Sequence, residues 1–146
     1  MKLQNVLLVY TRPTTEEYRL TLKDVRKVLN KFGIKHHLAN RDLLNEVKFH
    51  NHDFILAVGG DGTFLQAASH LTDQYILGVN SDSGRNVGKF CAAAEKIFEE
   101  IFQRILSGEL KSKTLPRFSL QVDGNSKKFL ILNDILVCDI NPGAMS

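Results

Sequence analysis

The chain has no tryptophan, only two cysteines, and no apolar run near the roughly 20 residues that a membrane-spanning helix needs. Cys91 and Cys138 lie far apart and form no C-x-x-C pair. A disulfide framework is therefore not expected, and a reducing, cytoplasmic compartment is. No membrane association is expected either. The apolar residues 6–10 come without a small-residue cleavage site and read as a first strand rather than a signal peptide. There is no basic block and no nucleic-acid-binding signature. The net charge of +3 over 146 residues suits a phosphorylated small molecule, and no nucleic-acid partner is expected. With 43% hydrophobic and 24% charged residues the composition is that of a soluble globular domain. The length supports one core, not two complete domains.

What the sequence does have is Leu56-Ala57-Val58-Gly59-Gly60-Asp61-Gly62-Thr63-Phe64-Leu65. An apolar run stops at two glycines and an aspartate, and an amphipathic segment follows. This predicts a buried strand, a tight turn and a helix. Glycines leave backbone N–H groups unshielded, and at a helix N-terminus such groups attract anions, phosphate above all. Asp61 is the exception, because a carboxylate repels phosphate. Either it caps the helix, or it binds a metal or takes a proton. The Lys-Ser/Thr of a P-loop is missing, and Leu65 stands where a dinucleotide fingerprint needs its third glycine.

Residues 14–17, Thr-Thr-Glu-Glu, predict a capping box between Thr14 and Glu17. A helix follows through Tyr18, Leu22, Val25, Leu29 and Phe32 and closes at Gly33. A short strand is expected over 34–39, a helical turn or two over 41–47, a helix from Thr63 to about 70, and a strand over 75–79. The polar loop 80–89 follows, then a helix over 92–106 with Ile97, Ile101 and Ile105 on one side. Strands alternating with helices predict an α/β fold, a Rossmann-like parallel sheet with flanking helices. In such sheets ligands bind beyond the carboxyl ends of the strands, where Gly59–Thr63 and Asn80–Lys89 both fall. From Leu115 the pattern changes to period two. Residues 118–122 and 129–138 predict a β-hairpin around a turn at 123–126. The expected domains are thus 1–114, an α/β nucleotide-binding domain, and 115–146, the opening of a truncated C-terminal β domain.

With these residues in place, the chain resembles the NAD kinases. Gly59-Gly60-Asp61-Gly62-Thr63 is similar to that family's signature turn, Leu77-Gly78-Val79-Asn80 to its second motif, and Leu132-Asn133-Asp134 to its short Asn-Glu motif. The loop after Asn80 looks more like the branch that includes the mitochondrial NAD kinases. The resemblance implies phosphoryl transfer from ATP or polyphosphate, with a divalent cation such as magnesium, to the 2′-hydroxyl of the adenosine ribose of NAD. It implies Asp61 as proton acceptor and Gly59, Gly60, Gly62, Thr63 and Asn80 around the nucleotide phosphates. On the NAD it implies Asp61, Gly62, Asn133 and Asp134. No protein metal ligand is assigned. Arg85 and Lys89 either reach phosphates from the sheet edge or stay solvated loop charges.

Asp134 stands where the family usually has Glu, one methylene longer. Such enzymes complete their site with a glycine-rich β domain that also supplies dimer surfaces. The chain is accordingly expected to be an amino-terminal fragment with little or no activity by itself, and the complete protein a homo-oligomer. The diglycine loop also occurs in lipid kinases of the diacylglycerol and sphingosine type and in sugar kinases. Lipid kinases carry a Gly-Thr-Gly-Asn-Asp type segment after the next strand, where this chain has Gly78-Val79-Asn80. A non-catalytic nucleotide-binding module is the remaining alternative. His36, His37, His50 and His52 lack a third ligand at a convincing spacing and read as surface residues rather than a zinc site.

Overall fold

Two apolar runs form the centre of the sheet. In β1 (Asn5–Tyr10) residues 6–9 are all buried, and in β3 (Phe54–Gly59) every residue is. Runs this continuous suit strands covered on both faces. A computed structural model describes residues 3–84, 88–121 and 128–134. The remaining strands are β2 (Lys35–Asn40), β4 (Tyr75–Asn80) and β5 (Cys91–Ala94), and the five lie in the order β2-β1-β3-β4-β5. All four pairings are parallel. β2 is an edge strand and keeps Lys35, His37 and Leu38 exposed.

Helix α1 (Glu16–Lys31) follows β1, α2 (Asp61–Ala68) follows β3, and α3 (Phe98–Ser107) follows β5. The chain steps from β1 to β2 in one direction and from β3 to β4 in the other. Right-handed crossovers therefore place α1 and α2 on opposite faces. On the α1 side, Val6, Leu8, Phe54, Leu56, Val58, Leu77 and Val79 form one core with Val25, Leu29, Phe98 and Phe102. Alternate residues Leu7, Val9, Ile55 and Ala57 are equally buried on the face that receives α2. Each of the Val, Leu, Ile and Phe side chains withdrawn from water contributes about 1.5–3 kcal/mol before chain entropy is counted.

The structure corrects four sequence expectations. The cap of α1 is Thr15, whose hydroxyl accepts the Tyr18 N–H at 3.2 Å, so the Thr14–Glu17 capping box does not form. Glu16 and Glu17 are then the first two residues of the helix, where its dipole favours them. Helix α2 begins at Asp61 rather than Thr63. The helix expected from residue 92 begins only at Phe98, because Cys91–Ala94 pairs with β4 as a fifth strand and Glu95–Ile97 forms a 3-10 turn. Alanines favour helix locally, but edge pairing beside the bare Gly78 overrides that preference. The strand expected over 129–138 ends at Ile131, with residues 132–134 outside any strand.

The chain divides into two compact units, Met1–Lys113 and Thr114–Ser146. The second holds an antiparallel hairpin of β6 (Phe118–Gln121) and β7 (Lys128–Ile131), in register Phe118↔Ile131 to Gln121↔Lys128. The turn expected at 123–126 lies outside the described residues, as do positions 135–138 of the expected strand.

Candidate functional site

In the order β2-β1-β3-β4-β5, the connections from β1 and β3 diverge, which makes the β1/β3 boundary the topological switch point. Ligands of open α/β sheets bind in the crevice beyond the carboxyl ends of the strands at such a point. The Gly59–Thr63 turn leaves β3 there.

Its glycines do different things. Gly59 has φ of +153°, and a methyl on it would stand 2.5 Å from Thr63 Oγ1. The absence of a side chain lets the turn fold over the buried Thr63. Gly60 is the N-cap of α2 with no side-chain cap bond, and a methyl there would meet nothing within 4 Å. A methyl on Gly62 would meet only Arg41 Nη1, at 3.5 Å. The open part of the turn is therefore Gly60 to Gly62. The N–H groups of Asp61 and Gly62, in the first turn of α2, have no acceptor within the helix.

Asp61 does not cap the helix. Its Oδ1 accepts the Phe90 N–H and its Oδ2 the Lys89 N–H, both at 2.9 Å. The carboxylate thus ties the start of α2 to the loop that precedes β5. Phe64 and Phe90 stack beside this clamp at 5.4 Å between ring centres. The Lys89 side chain is exposed.

Asn80, at the end of β4, is 5% exposed and lies beside Gly59 in register. Its Oδ1 accepts the Asp82 N–H at 3.0 Å, and the next N–H, from Ser81, bonds the Gly59 carbonyl at 3.0 Å. Gly88, with φ of +61°, returns the chain so closely that a methyl on it would stand 2.7 Å from Asn80 Nδ2. Gly78 is as constrained, with Phe90 O 2.7 Å and Cys91 Cα 2.9 Å from a methyl there. Burial, and after it the charge of Asp61, push the Cys91 thiol up to about 11. At neutral pH it is protonated and not a nucleophile.

Two residues escaped the sequence reading of the site. Tyr18 was legible only as part of an apolar helix stripe. Its hydroxyl donates to the Val58 carbonyl at 2.6 Å and accepts the Thr11 N–H at 2.8 Å, joining the ends of β1 and β3 under the turn. Burial pushes this phenol up to about 12. Arg41 follows β2 directly and reaches the open side of Gly62. No local pattern marks either role, since both depend on strands paired across the sheet.

Arg85 lies outside the described residues. Asn133 and Asp134 belong to the second unit, where Asn133 Nδ2 donates to Asp134 Oδ2 at 2.9 Å and both side chains are exposed. Among the described residues no three His, Cys, Asp or Glu side chains gather as a metal cage, and no helix is long and apolar enough to cross a membrane. His37 Nδ1 and His52 Nε2 approach to 3.1 Å as a pair.

Known proteins share this arrangement of sequence. A probable NADH kinase of Oryza sativa subsp. japonica is 31% identical over 96% of this chain and 48% of its own length. An NADH kinase of Arabidopsis thaliana is 28% identical over 82% of the chain and 43% of its own. The mitochondrial NAD kinase 2 of Homo sapiens is 30% identical over 75% of the chain and 26% of its own. The chain thus spans about half the length of these plant relatives and about a quarter of the human one. The profile of the ATP-NAD kinase N-terminal domain matches residues 4–110, which include β1 through α3 and the whole glycine turn. A parallel sheet with the Gly59–Thr63 turn at its switch point, joined to that match, makes the chain a member of the ATP-NAD kinase N-terminal domain family.

Proposed function

We propose that the complete protein transfers a phosphoryl group from ATP or polyphosphate to the 2′-hydroxyl of the adenosine ribose of NAD, giving NADP. The observation that carries this reading is the position of Asp61, a carboxylate beside the N–H groups of Asp61 and Gly62, which have no acceptor within the helix, at the ligand edge of a sheet of this family. Phosphoryl transfer to a sugar hydroxyl needs phosphates held in place and a group that accepts the hydroxyl proton. The Asp61 and Gly62 N–H groups are the backbone donors for the phosphates, with Gly59, Gly60, Thr63 and Asn80 shaping the turn around them. Arg85 and Lys89 add positive charge. Asp61 accepts the proton: each of its oxygens takes one N–H, which leaves each a further lone-pair direction for the ribose hydroxyl.

Residues 1–114 hold the donor and 115–146 open a β domain, on which Asn133 and Asp134 bind NAD and Gly62 borders it. The divalent cation arrives on the nucleotide phosphates, as magnesium commonly does. The working compartment is the cytoplasm, a reducing one in keeping with the free Cys91 thiol, and the full-length enzyme is a homo-oligomer. The 146-residue chain alone, less than half the length of its relatives, turns over little or nothing.

NADP formation by the complete gene product tests the assignment. Asp61→Asn is expected to lower kcat by roughly 10²–10⁴-fold. Absence of NADP formation by the wild type, or an Asp61→Asn variant as fast as wild type, overturns it. The clamp from Asp61 to Lys89 and Phe90 favours one second reading, a nucleotide-binding module in which Asp61 only holds a loop. Undiminished nucleotide binding by Asp61→Asn with no transfer by the complete wild-type protein would select that reading.

A further inference from the structure

The anion-facing turn carries a carboxylate of its own, and its backbone N–H groups supply only partial charge. A full positive charge stands close by. Arg41 is the first residue after β2, and its backbone carbonyl accepts Gln66 Nε2 of α2 at 3.0 Å, which fixes the residue against the helix that the turn begins. Its Nη1 is 3.5 Å from the place where a side chain on Gly62 would start. Its Nε is buried and makes no hydrogen bond among the described residues, with Asp42 Oδ1 3.5 Å away as an ion-pair partner. The side chain remains 35% exposed, so the guanidinium has a buried stem and an accessible tip.

We propose that Arg41 binds the phosphate chain of the donor, closing over the bare Gly62 so that its planar fork and the open N–H groups of the turn hold the same phosphates. This rests on the reading of Gly59–Thr63 as a phosphate loop. A guanidinium suits the task because two of its N–H groups can meet two phosphate oxygens at once, and the weakly hydrated cation loses little on leaving water. Gly62 then has a second purpose. With no side chain there, no atom separates the Arg41 fork from the turn, whereas a large residue would fill that gap.

Binding of magnesium tripolyphosphate and of magnesium ATP to the complete gene product, followed by titration calorimetry, tests the proposal. Arg41→Gln is expected to weaken both ligands roughly tenfold or more, since a charge-assisted contact is lost. Arg41→Lys should fall between the two, because charge is kept and the fork is not. The melting temperature should stay near wild type, since the bond to Gln66 uses the Arg41 main chain. Weakening confined to ATP would show that Arg41 acts on the nucleoside and would overturn a phosphate role. Binding of both ligands by Arg41→Gln within about twofold of wild type would overturn the proposal and leave the phosphate-loop reading standing. If the wild type binds neither ligand, the loop reading fails with it. Should Arg41→Gln not fold, Arg41→Lys decides: affinity equal to wild type for tripolyphosphate overturns the fork. Loss of tripolyphosphate binding in a protein that makes no NADP would support the Arg41 site and refute the kinase assignment alone.

Discussion

The Tyr18 hydroxyl bridges two strand ends, donating to Val58 O and accepting from Thr11 N–H, directly beneath the Gly59 turn. Tyr18→Phe leaves both main-chain groups short of a partner at a buried place, which should cost about 1–3 kcal/mol in urea unfolding. The same burial gives an alkaline signature. The folded-state value, about 12, lies above the ordinary value of 10. Neutral Tyr18 therefore contributes its full stability below pH 10 and loses it as pH rises toward 12. Stability measured across that window should decline in the wild type, and the decline should be shallower in Tyr18→Phe.

Gly59→Ala is the most damaging small change in the turn. The methyl would stand 2.5 Å from Thr63 Oγ1 on a backbone with φ of +153°. A loss of roughly 2–4 kcal/mol is expected from overpacking and backbone strain together. Thr63→Ala removes the struck hydroxyl, so the double variant should be more stable than the sum of the single effects predicts. Additive losses in that cycle would show that no clash exists.

Asp61→Asn should loosen residues 88–90 as well as affect catalysis. An amide has a single acceptor oxygen and would turn its NH2 toward one of the two N–H groups that the carboxylate now accepts. Hydrogen exchange at Lys89 and Phe90 should quicken by about tenfold or more if each bond contributes about 1–2 kcal/mol. Unchanged exchange at both amides would remove the clamp from the account.

Acid should act through the histidine pair. His52 is held below its ordinary value, first by burial and also by the neighbouring His37 charge, against the opposing pulls of the Lys48 and Phe49 main chain and of Asp53. A folded value below the unfolded one means that stability is complete above about pH 6.5 and falls as pH drops below it, because the unfolded state takes the proton first. His52→Asn should flatten the melting temperature between pH 7 and 5. A wild-type curve that is level through that interval would show that the pair carries no such cost.

The centre of this fold is legible in the chain because a fully buried strand needs an unbroken apolar run, and residues 54–58 supply one that stops at two glycines. The ends of elements are less legible. Thr14 and Thr15 are chemically equal as caps, so no local pattern distinguishes Thr15, which is the one that caps α1. Strand β5 is hidden for a different reason. Its residues, Cys-Ala-Ala-Ala, show no alternation, and their pairing depends on space left by Gly78, which is 13 positions earlier (91 − 78). The Asp61 clamp spans 28 and 29 positions, and no local pattern encodes a bond between a side chain and a distant main chain. Gly78 and Asn80 stand out in sequence as a motif. In the structure Gly78 is first of all a site where main chains pass too closely for a side chain, and Asn80 a buried side chain against which Gly88 returns.

That close passage has a consequence for how the chain can change in length. The segment leaving at Asp82 returns at Gly88, and its two ends are fastened to one another and to the sheet. Asn80 holds Asp82 and lies against Gly88, Ser81 bonds Gly59, and Asp61 takes the amides that follow Gly88. The stem of this excursion is thus closed by bonds among residues on either side of it. Each doubling of the length between residues 82 and 88 adds about 0.6 kcal/mol of loop-closure entropy. Insertions a few residues to either side would break the fastening itself. Variation in size should therefore collect in this one excursion while Asn80 and Gly88 stay the same residues.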